Sequence, residues 1–436
     1  MDRLSYGVGV IDGLLLAVVF VRAVALALKP IVNARDKRFT LVAAIVIPLA
    51  ILKVALLPYL PGVQVDLRQF EIWSLVMARY GPAHIYDPRW ACIYTPAYLY
   101  VLWPAGAVAM GAGLNLRIMV ELPLVVADLL LAIIVYAAAR RVSSERAASV
   151  AALLVAFNPA LIYASAVWGQ NDSVLAFVVL LSVLMAADRR LATAWAIALV
   201  AGLIKAQGLM LLPLLAWWTL IASDRRDWTR IAAAGVGTAI LVIAPFQLAR
   251  PWHFIWDIYS SSANFFPWAS VNAFNFMLVM GGLVVGDSNK ALGPISYFAL
   301  GNSLFAISYA LAASIIWRRR TTWFLFYSVF IVYLGMFTFA PRMHERYLFY
   351  AVALMAPMLS TSRTIATLYA VFSVTLFLDA AYVFFDLVRG GHLPLGPDAR
   401  FEIAIVNVAA FVVVAIYGIW ASMADGADDR GCFARS

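Results

Sequence analysis

Long, uninterrupted runs of apolar residues constrain the fold of this chain more than any other feature. A run of about 20 apolar residues is long enough to cross the hydrocarbon core of a bilayer as a helix. Of the 436 residues, 64% are hydrophobic and only 13% are charged, too few to cover a soluble core of that size. The sequence therefore predicts an all-α, polytopic integral membrane protein and excludes a soluble enzyme, a disordered scaffold and a disulfide-stabilised secreted domain.

About 13 transmembrane or re-entrant helices are predicted within a single transmembrane domain at 1–423, followed by a short cytoplasmic tail at 424–436. The first run lacks a small-residue cleavage site, which predicts a retained span. The predicted helices lie at 8–28, 39–58, 118–139, 147–167, 173–187, 191–204, 209–222, 230–249, 291–316, 321–340, 347–361, 364–385 and 402–423.

The basic residues are concentrated in short loops between these runs, which explains the net charge of +9 without a nucleic-acid partner. Basic loops of membrane proteins stay in the cytoplasm. The five loops are 29–38, 140–146, 188–190, 224–230 and 317–320. This orientation predicts a multi-pass protein of the cytoplasmic membrane, with long external loops at 57–94 and 250–290 and the active site on the non-cytoplasmic face.

Two apolar segments do not fit a simple span. If 94–113 crossed the membrane, every later basic loop would change side, so an interfacial or re-entrant helix interrupted at Pro96 and Pro104 is predicted. Residues 191–220 run between two cytoplasmic loops. They are therefore predicted to form two short helices that meet around 205–208, an arrangement that usually lines a cavity.

The first candidate site residue is Asp66, at the start of an amphipathic helix in the first external loop. Phe70, Trp73 and Met77 recur at helical spacing, and Gly81-Pro82 stops the helix. Asp66 is either an ordinary N-cap or a carboxylate that takes a proton from a hydroxyl group.

Two further clusters flank short apolar helices. Residues 168–172 (Trp-Gly-Gln-Asn-Asp) include Gln170 and Asp172, which form either a turn and a cap or a sugar or phosphate site. Lys205, followed closely by Gln207, either extends to the membrane surface or faces a phosphate at the apex of the paired helices.

The segment 342–347 (Arg-Met-His-Glu-Arg-Tyr) is dense in ionisable groups. A zinc protease would need a second histidine four residues after the first, where this chain has Leu348. Arg342, His344 and Arg346 are therefore candidate phosphate ligands oriented by Glu345; the alternative is a salt-bridged aqueous loop. A weaker candidate is the stretch 264–275, rich in Asn and aromatic residues and including Asn272.

The sequence lacks the residues that nucleotide-dependent or metal-dependent chemistry would need. The sequence has no Gly-rich phosphate loop, no Asp-x-Asp pair and no metal-ligand pattern, and its two cysteines, Cys92 and Cys432, cannot form a framework. A sugar nucleotide delivered from the cytoplasm is therefore an unexpected donor.

Taken in order, these motifs resemble those of the membrane-embedded C-type (GT-C) glycosyltransferases that use polyprenyl-phosphate sugars, especially the mannosyltransferase-like members. The resemblance spans most of the chain. It is carried by Asp66, Tyr94-Thr-Pro, Asp128, Asn158-Pro159, Trp168-Gly-Gln-Asn-Asp172, Gly202-Leu-Ile-Lys205-Ala-Gln207, Asn272-Ala-Phe-Asn275 and Met343-His-Glu-Arg-Tyr347. The chain departs from the family's usual Tyr-Pro-Pro at Thr95.

The resemblance implies an inverting glycosyl transfer that uses no metal and no cofactor. Asp66 would be the general base, and the donor would be a polyprenyl-phosphate sugar, with mannose the first expectation and glucose the second. The acceptor would be a glycan, a glycolipid or a protein. The implied donor-phosphate ligands are Lys205, His344, Arg346 and Arg342, and the implied sugar or acceptor ligands are Gln170, Asp172, Gln207, Glu345 and Asn272.

An alternative function is transport or flipping of a lipid-linked sugar without chemistry, and a membrane subunit of a larger polymer synthase is a third. A transporter should carry repeated halves with polar residues at the membrane midplane. The sequence has no convincing internal repeat, and its ionisable clusters lie on one predicted face. Both observations favour the enzyme.

Overall fold

The computed structural model describes residues 3–224, 227–248, 250–390 and 395–424. Of the predicted cytoplasmic tail, 425–436 lie outside these ranges, as do Cys432 and Arg225 and Arg226 of the basic loop at 224–230. The described chain is almost entirely helical, so the prediction of an all-α polytopic membrane protein is confirmed.

The first nine helices are α1 (Arg3–Asn33), α2 (Lys37–Leu56), α3 (Gln64–Tyr80), α4 (Pro96–Ala112), α5 (Leu116–Ala139), α6 (Glu145–Ala156), α7 (Pro159–Ile162), α8 (Asp172–Ala187) and α9 (Leu191–Ile204). The others are α10 (Leu212–Ala222), α11 (Trp228–Gln247), α12 (Phe254–Ala263), α13 (Phe276–Val279), α14 (Tyr297–Arg318), α15 (Thr322–Phe339), α16 (Leu348–Met355), α17 (Arg363–Arg389) and α18 (Pro397–Met423). Four short strands are β1 (Ser270–Val271), β2 (Lys290–Leu292), β3 (Ile295–Ser296) and β4 (Met343–His344).

Eight of these helices are long and apolar enough to cross a membrane, namely α1, α2, α5, α11, α14, α15, α17 and α18. A bent pair at 145–167 and four shorter apolar helices complete the set within the described residues. Each of the thirteen predicted helices has a counterpart in these three groups, but only eight of the described helices, or nine if the bent pair is one span, are long enough to cross a membrane.

The segment predicted as one helix at 147–167 is broken in the structure. Pro159 has no N–H for the helix ladder, and the Asn158 side chain accepts hydrogen bonds from the N–H groups of Ala160 and Leu161. The two parts are bent by 41°, and the second ends in a π-helical turn at Tyr163–Val167. This turn leads directly into the 168–171 connection before α8.

The segment at 94–113 forms one unbroken helix, α4, so the predicted interruption is wrong. Pro96 occupies the first turn, where no N–H is needed, and Pro104 is accommodated inside the helix. Helix α4 packs against α3, whose apolar face buries Phe70 and Trp73. A Cβ on Gly106 would lie 2.2 Å from the Ser74 carbonyl oxygen, so glycine permits this close approach.

The chain between α9 and α10 changes direction at Lys205, as predicted. Lys205 is extended, with φ −153° and ψ 150°, and a 3₁₀ turn at Ala206–Leu211 then leads into α10. A Cβ on Gly208 would lie 2.1 Å from the Ala201 carbonyl oxygen. The return of the chain therefore depends on glycine at 208.

The segment at 250–290, predicted to be a long external loop, contains regular structure. It contains α12, β1 and α13, and β1 pairs in parallel with β4 so that Val271 lies opposite His344. The helix predicted from residue 291 begins at Tyr297, because 290–296 form the β2–β3 hairpin.

We expect Gly208→Ala to lower the thermal stability of the detergent-solubilised protein sharply, because the new methyl group overlaps backbone and not a flexible side chain. Gly237→Ala in α11 is the matched control. Its Cβ meets nothing within 4 Å, and alanine favours a helix over glycine by about 0.5–1 kcal/mol. A Gly208→Ala protein with a Tm equal to that of Gly237→Ala would contradict this packing.

Candidate active site

Four distant segments of the chain meet at one buried polar cluster. The start of α3 contributes Asp66, the connection before α8 contributes 168–172, the break after α9 contributes Lys205, and the loop between α15 and α16 contributes 344–346. A backbone hydrogen bond of 2.9 Å from Val63 N–H to the Trp168 carbonyl joins the first two segments. The structure thus brings together residues that are up to 280 positions apart in the sequence (66 to 346).

The Asp66 carboxylate is held by two side chains of the 168–172 connection. Its Oδ2 accepts from Trp168 Nε1 at 3.0 Å and from Gln170 Nε2 at 2.5 Å. The interpretation of Asp66 as an N-cap is wrong, because the cap position of α3 is Val63 and Asp66 lies in the first turn. Both donors bind the same oxygen, and within the described residues Oδ1 receives no hydrogen bond. One oxygen fixes the carboxylate and the other remains available.

The Asp172 carboxylate is the centre of a buried ion-pair network. Its Oδ1 accepts from Lys205 Nζ at 2.7 Å and from the Tyr350 hydroxyl, and its Oδ2 lies 3.5 Å from Arg346 Nε. The carboxylate is only 1% exposed. Asp172 does not act as a helix cap, since the cap residue of α8 is Asn171. The sequence predicts that Asp172 contacts the sugar directly. Its contacts in the structure instead favour a role in holding two cations.

Lys205 is buried in the protein, so the interpretation of an extended side chain at the membrane surface is wrong. Its ammonium group lies 5.9 Å from the ring centre of Tyr94 and 5.8 Å from that of Tyr347. These aromatic faces add a favourable electrostatic contact to the ion pair. The Gln207 side chain hydrogen-bonds to Tyr347 and so helps to hold the ring that faces Lys205.

The loop at 344–346 is a second set of buried charges rather than an aqueous salt-bridged loop. Arg346 donates to Glu345 at 2.6 Å, and its guanidinium lies 5.3 Å from the Trp168 ring centre. Burial opposes ionisation of Glu345, but Arg346 and His344 together lower its pKa below the ordinary value, so Glu345 is charged. Burial lowers the pKa of His344 and the charges of Arg346 and Lys205 lower it further, whereas the Glu345 carboxylate, 3.8 Å from Nδ1, opposes this shift.

With His344 neutral, the cluster carries one net negative charge. Three carboxylates (Asp66, Asp172 and Glu345) face two cations (Lys205 and Arg346). An isolated buried charge is costly, whereas a paired and hydrogen-bonded one is tolerated. The ion pairs therefore allow these side chains to stay charged although they are largely buried.

Two predicted site residues are placed apart from this network. The Arg342 guanidinium donates to Asp287 at 2.6 Å, to the Ala263 carbonyl and to the Asn264 side chain, so it links the loop after α15 to the segment at 250–290. Asn272, in a left-handed conformation with φ 69°, pairs through its backbone with His344. Asn272 thereby positions the histidine.

Sequence reasoning missed Tyr350, and it did not single out Asn171 within the 168–172 cluster. Tyr350 gave no signal because it lies within the apolar helix α16. Asn171 is fully buried, and neither its amide nitrogen nor its amide oxygen has a partner. Behind the 168–172 connection, Asp128 pairs with Lys53 at 2.8 Å and accepts from the Ser165 hydroxyl at 2.7 Å. This second pair fixes the π turn that precedes Trp168.

Over the described ranges, no group of three or more His, Cys, Asp or Glu side chains is arranged to hold a metal ion.

No family model matches this sequence, and no curated protein matches it. Among solved structures, the chain is similar to the apo crystal structure of the Archaeoglobus fulgidus oligosaccharyltransferase, with a TM-score of 0.47 and 14% sequence identity. The similarity covers 88% of this chain and 55% of that chain, so this chain spans about half the length of that protein. Function is therefore inferred from the site itself.

We expect Asp172→Asn to destabilise the fold by about 3 kcal/mol, because it leaves Lys205 buried without its carboxylate partner. The double variant Asp172→Asn/Lys205→Met removes the isolated ammonium and should recover part of the loss in Tm. Asp188→Asn is the control, since its pair with Arg141 is more exposed. Equal Tm values for the single variant and the control would contradict the central role of Asp172.

Proposed function

We propose that the chain is an inverting glycosyltransferase that moves a hexose from a polyprenyl-phosphate sugar to a hydroxyl-bearing acceptor. The observation that carries this proposal is Asp66, whose one oxygen is fixed by Trp168 and Gln170 while the other is free. A carboxylate held in this way, beside two buried cations, is suited to general-base catalysis next to an anionic leaving group.

In the proposed reaction Asp66 takes the proton of the acceptor hydroxyl while the acceptor oxygen attacks the anomeric carbon. The bond from that carbon to the phosphate oxygen breaks on the opposite face, and its electron pair leaves with the lipid phosphate. The configuration at the anomeric carbon is inverted. One carboxylate suffices because the phosphate leaves as a stable anion without a separate acid. The proposal includes no metal and no cofactor.

Lys205, Arg346 and His344 are the proposed ligands of the donor phosphate. Asp172 and Glu345 hold the two cations in place before the donor arrives, so little reorganisation is needed during the reaction. When Asp66 accepts its proton, the net charge of the cluster rises by one as the departing phosphate gains negative charge. This compensation stabilises the transition state more than the bound donor, which is the requirement for catalysis.

Mannose is the proposed sugar and glucose the second choice, on the family resemblance alone. The acceptor is a glycan, a glycolipid or a protein, and the site opens on the non-cytoplasmic face of the cytoplasmic membrane. Tyr94, half-buried and close enough to Asp66 for an electrostatic interaction, offers a ring against which a sugar can pack. Arg342 is proposed to support the loops rather than to bind phosphate, because its guanidinium contacts Asp287 and Ala263 and not the network around Asp172.

We expect Asp66→Asn to abolish transfer and leave donor binding largely intact, because the amide keeps the shape of the carboxylate but loses its basicity. The assay uses membranes that contain the protein and radiolabelled polyprenyl-phosphate mannose, glucose or arabinose, with label counted in the product. The control is Asp87→Asn, a carboxylate in the same external loop that pairs with the exposed Arg89.

Near-normal turnover by Asp66→Asn would disprove the base assignment. A different result would favour the transporter. In that case the wild-type protein would bind a donor and move it across the bilayer of a proteoliposome but transfer no label to any product.

The predicted orientation, with the site on the non-cytoplasmic face, can be tested by cysteine labelling. Cys92 is a poor probe, because burial raises the pKa of its thiol to about 12. In a C92S/C432S background, a membrane-impermeant maleimide added to intact cells should label Arg89→Cys, whose parent side chain is 74% exposed. Arg146→Cys, exposed in a predicted cytoplasmic loop, should react only after lysis. The reverse pattern would place the site on the cytoplasmic face.

A further inference from the structure

The hydrogen-bonding capacity next to Asp66 is incompletely used. Gln170 donates through Nε2 to Asp66, which fixes the orientation of its amide, and its Oε1 atom is buried without a partner. Both atoms belong to one planar amide, so Oε1 lies within about 5 Å of the carboxylate oxygen that Gln170 binds. Buried polar atoms in proteins nearly always have a partner, so this unpaired acceptor beside the base indicates a missing donor.

Resting on the proposed function, we propose that the acceptor is a neutral sugar whose reacting hydroxyl has a hydroxyl on the adjacent carbon. The reacting hydroxyl binds the free Oδ1 of Asp66, and the adjacent hydroxyl donates to Gln170 Oε1. Adjacent hydroxyl oxygens of a sugar lie about one hydrogen-bond length apart. Gln170 is hydrogen-bonded to Asp66, so these two acceptor atoms belong to side chains in direct contact.

A serine or threonine side chain fits this pair of acceptors less well. It has a single hydroxyl group, so Gln170 Oε1 would be paired only if a backbone N–H of the peptide reached it. A site built to bind a substrate hydroxyl group strongly rejects an analogue without it.

The charges of the cluster argue against an anionic acceptor. In the proposed function Lys205 and Arg346 bind the donor phosphate, so neither is available to an acceptor that carries its own anionic group. Such a group beside the Asp66 carboxylate would meet a like charge without a cation of its own. A neutral hydroxylated ring avoids this cost.

Asn171 is a second amide with unused hydrogen-bonding capacity in the 168–172 connection. It follows Gln170 directly, is fully buried, and presents an unpaired amide donor and an unpaired amide acceptor. Donor and acceptor together are what sugar hydroxyl groups use, since each hydroxyl both gives and receives a hydrogen bond.

The test compares acceptors in proteoliposomes of the full chain, using whichever labelled donor supports Asp66-dependent transfer. The acceptors are a dodecyl mannoside, its single-deoxy analogues, and a neutral peptide with one serine. We expect transfer to the mannoside and a loss in kcat/KM of about 10-fold to 100-fold for a deoxy analogue that lacks the hydroxyl next to the glycosylated position.

Gln170→Met should reduce the rate for every acceptor and, more tellingly, shrink the difference between the mannoside and that deoxy analogue to within about threefold. A variant that only weakens the fold or misplaces Asp66 would lower both rates and keep their ratio. Gln247→Met is the matched control, because its amide binds backbone carbonyls at the end of α11 and should leave both rates unchanged.

Three outcomes would each overturn this proposal. The protein could use the mannoside and all deoxy analogues equally, or it could prefer the peptide. It could also label an endogenous product but fail to use any mannoside. These outcomes leave the proposed function intact. Absence of Asp66-dependent transfer to any product would instead contradict the proposed function itself.

Discussion

The buried carboxylate of Asp172 is the contact on which the site depends. It binds Lys205 and Tyr350 through one oxygen and faces Arg346 with the other. In an environment with little water, removing one member of such a network leaves the others uncompensated. The three helices α8, α9 and α16 are therefore tied at the point where the proposed donor phosphate binds, and the two cations keep their positions without a ligand.

Breaks in helical structure place the remaining side chains. The π turn before Trp168 and the extended residue Lys205 both interrupt an apolar helix next to the site. Gly169, with φ 89°, lets the 168–172 connection approach α3, because a Cβ there would lie 2.7 Å from the Leu67 side chain. Irregular backbone is tolerated in a membrane protein where other protein covers it, and here it presents the Trp168 and Gln170 donors to Asp66.

Most of the fold could be predicted from the apolar runs, because each run must be satisfied as a helix in a bilayer. The turn at Lys205 was predictable, since 30 apolar residues between two basic loops must return to the same side. The break at Asn158-Pro159 was signalled by the sequence but concealed by the apolar length around it. The interruption predicted for 94–113 was wrong: Pro96 lies in the first turn, where its missing N–H is not needed, and the helix continues through Pro104.

The site was only partly predictable, because its contacts join distant segments. Asp66, Lys205 and Arg346 could be identified from their unusual position beside apolar helices. No pattern along the chain, however, linked Arg342 to Asp287 or placed Tyr350 on Asp172. Local spacing reports which residues share a helix face, whereas these pairs depend on how the helices pack.

The order of the charged residues along the chain has a consequence for synthesis. Asp172 and Lys205 lie at the two ends of the α8–α9 hairpin, so their charges can neutralise each other as soon as that hairpin enters the bilayer. This reduces the cost of inserting an ionised group among apolar helices. Arg346 emerges from the ribosome about 140 residues later. The order of the chain therefore allows the Asp172–Lys205 pair to form before Arg346 is synthesised, and the second cation joins the pair only when α15 and α16 are in place.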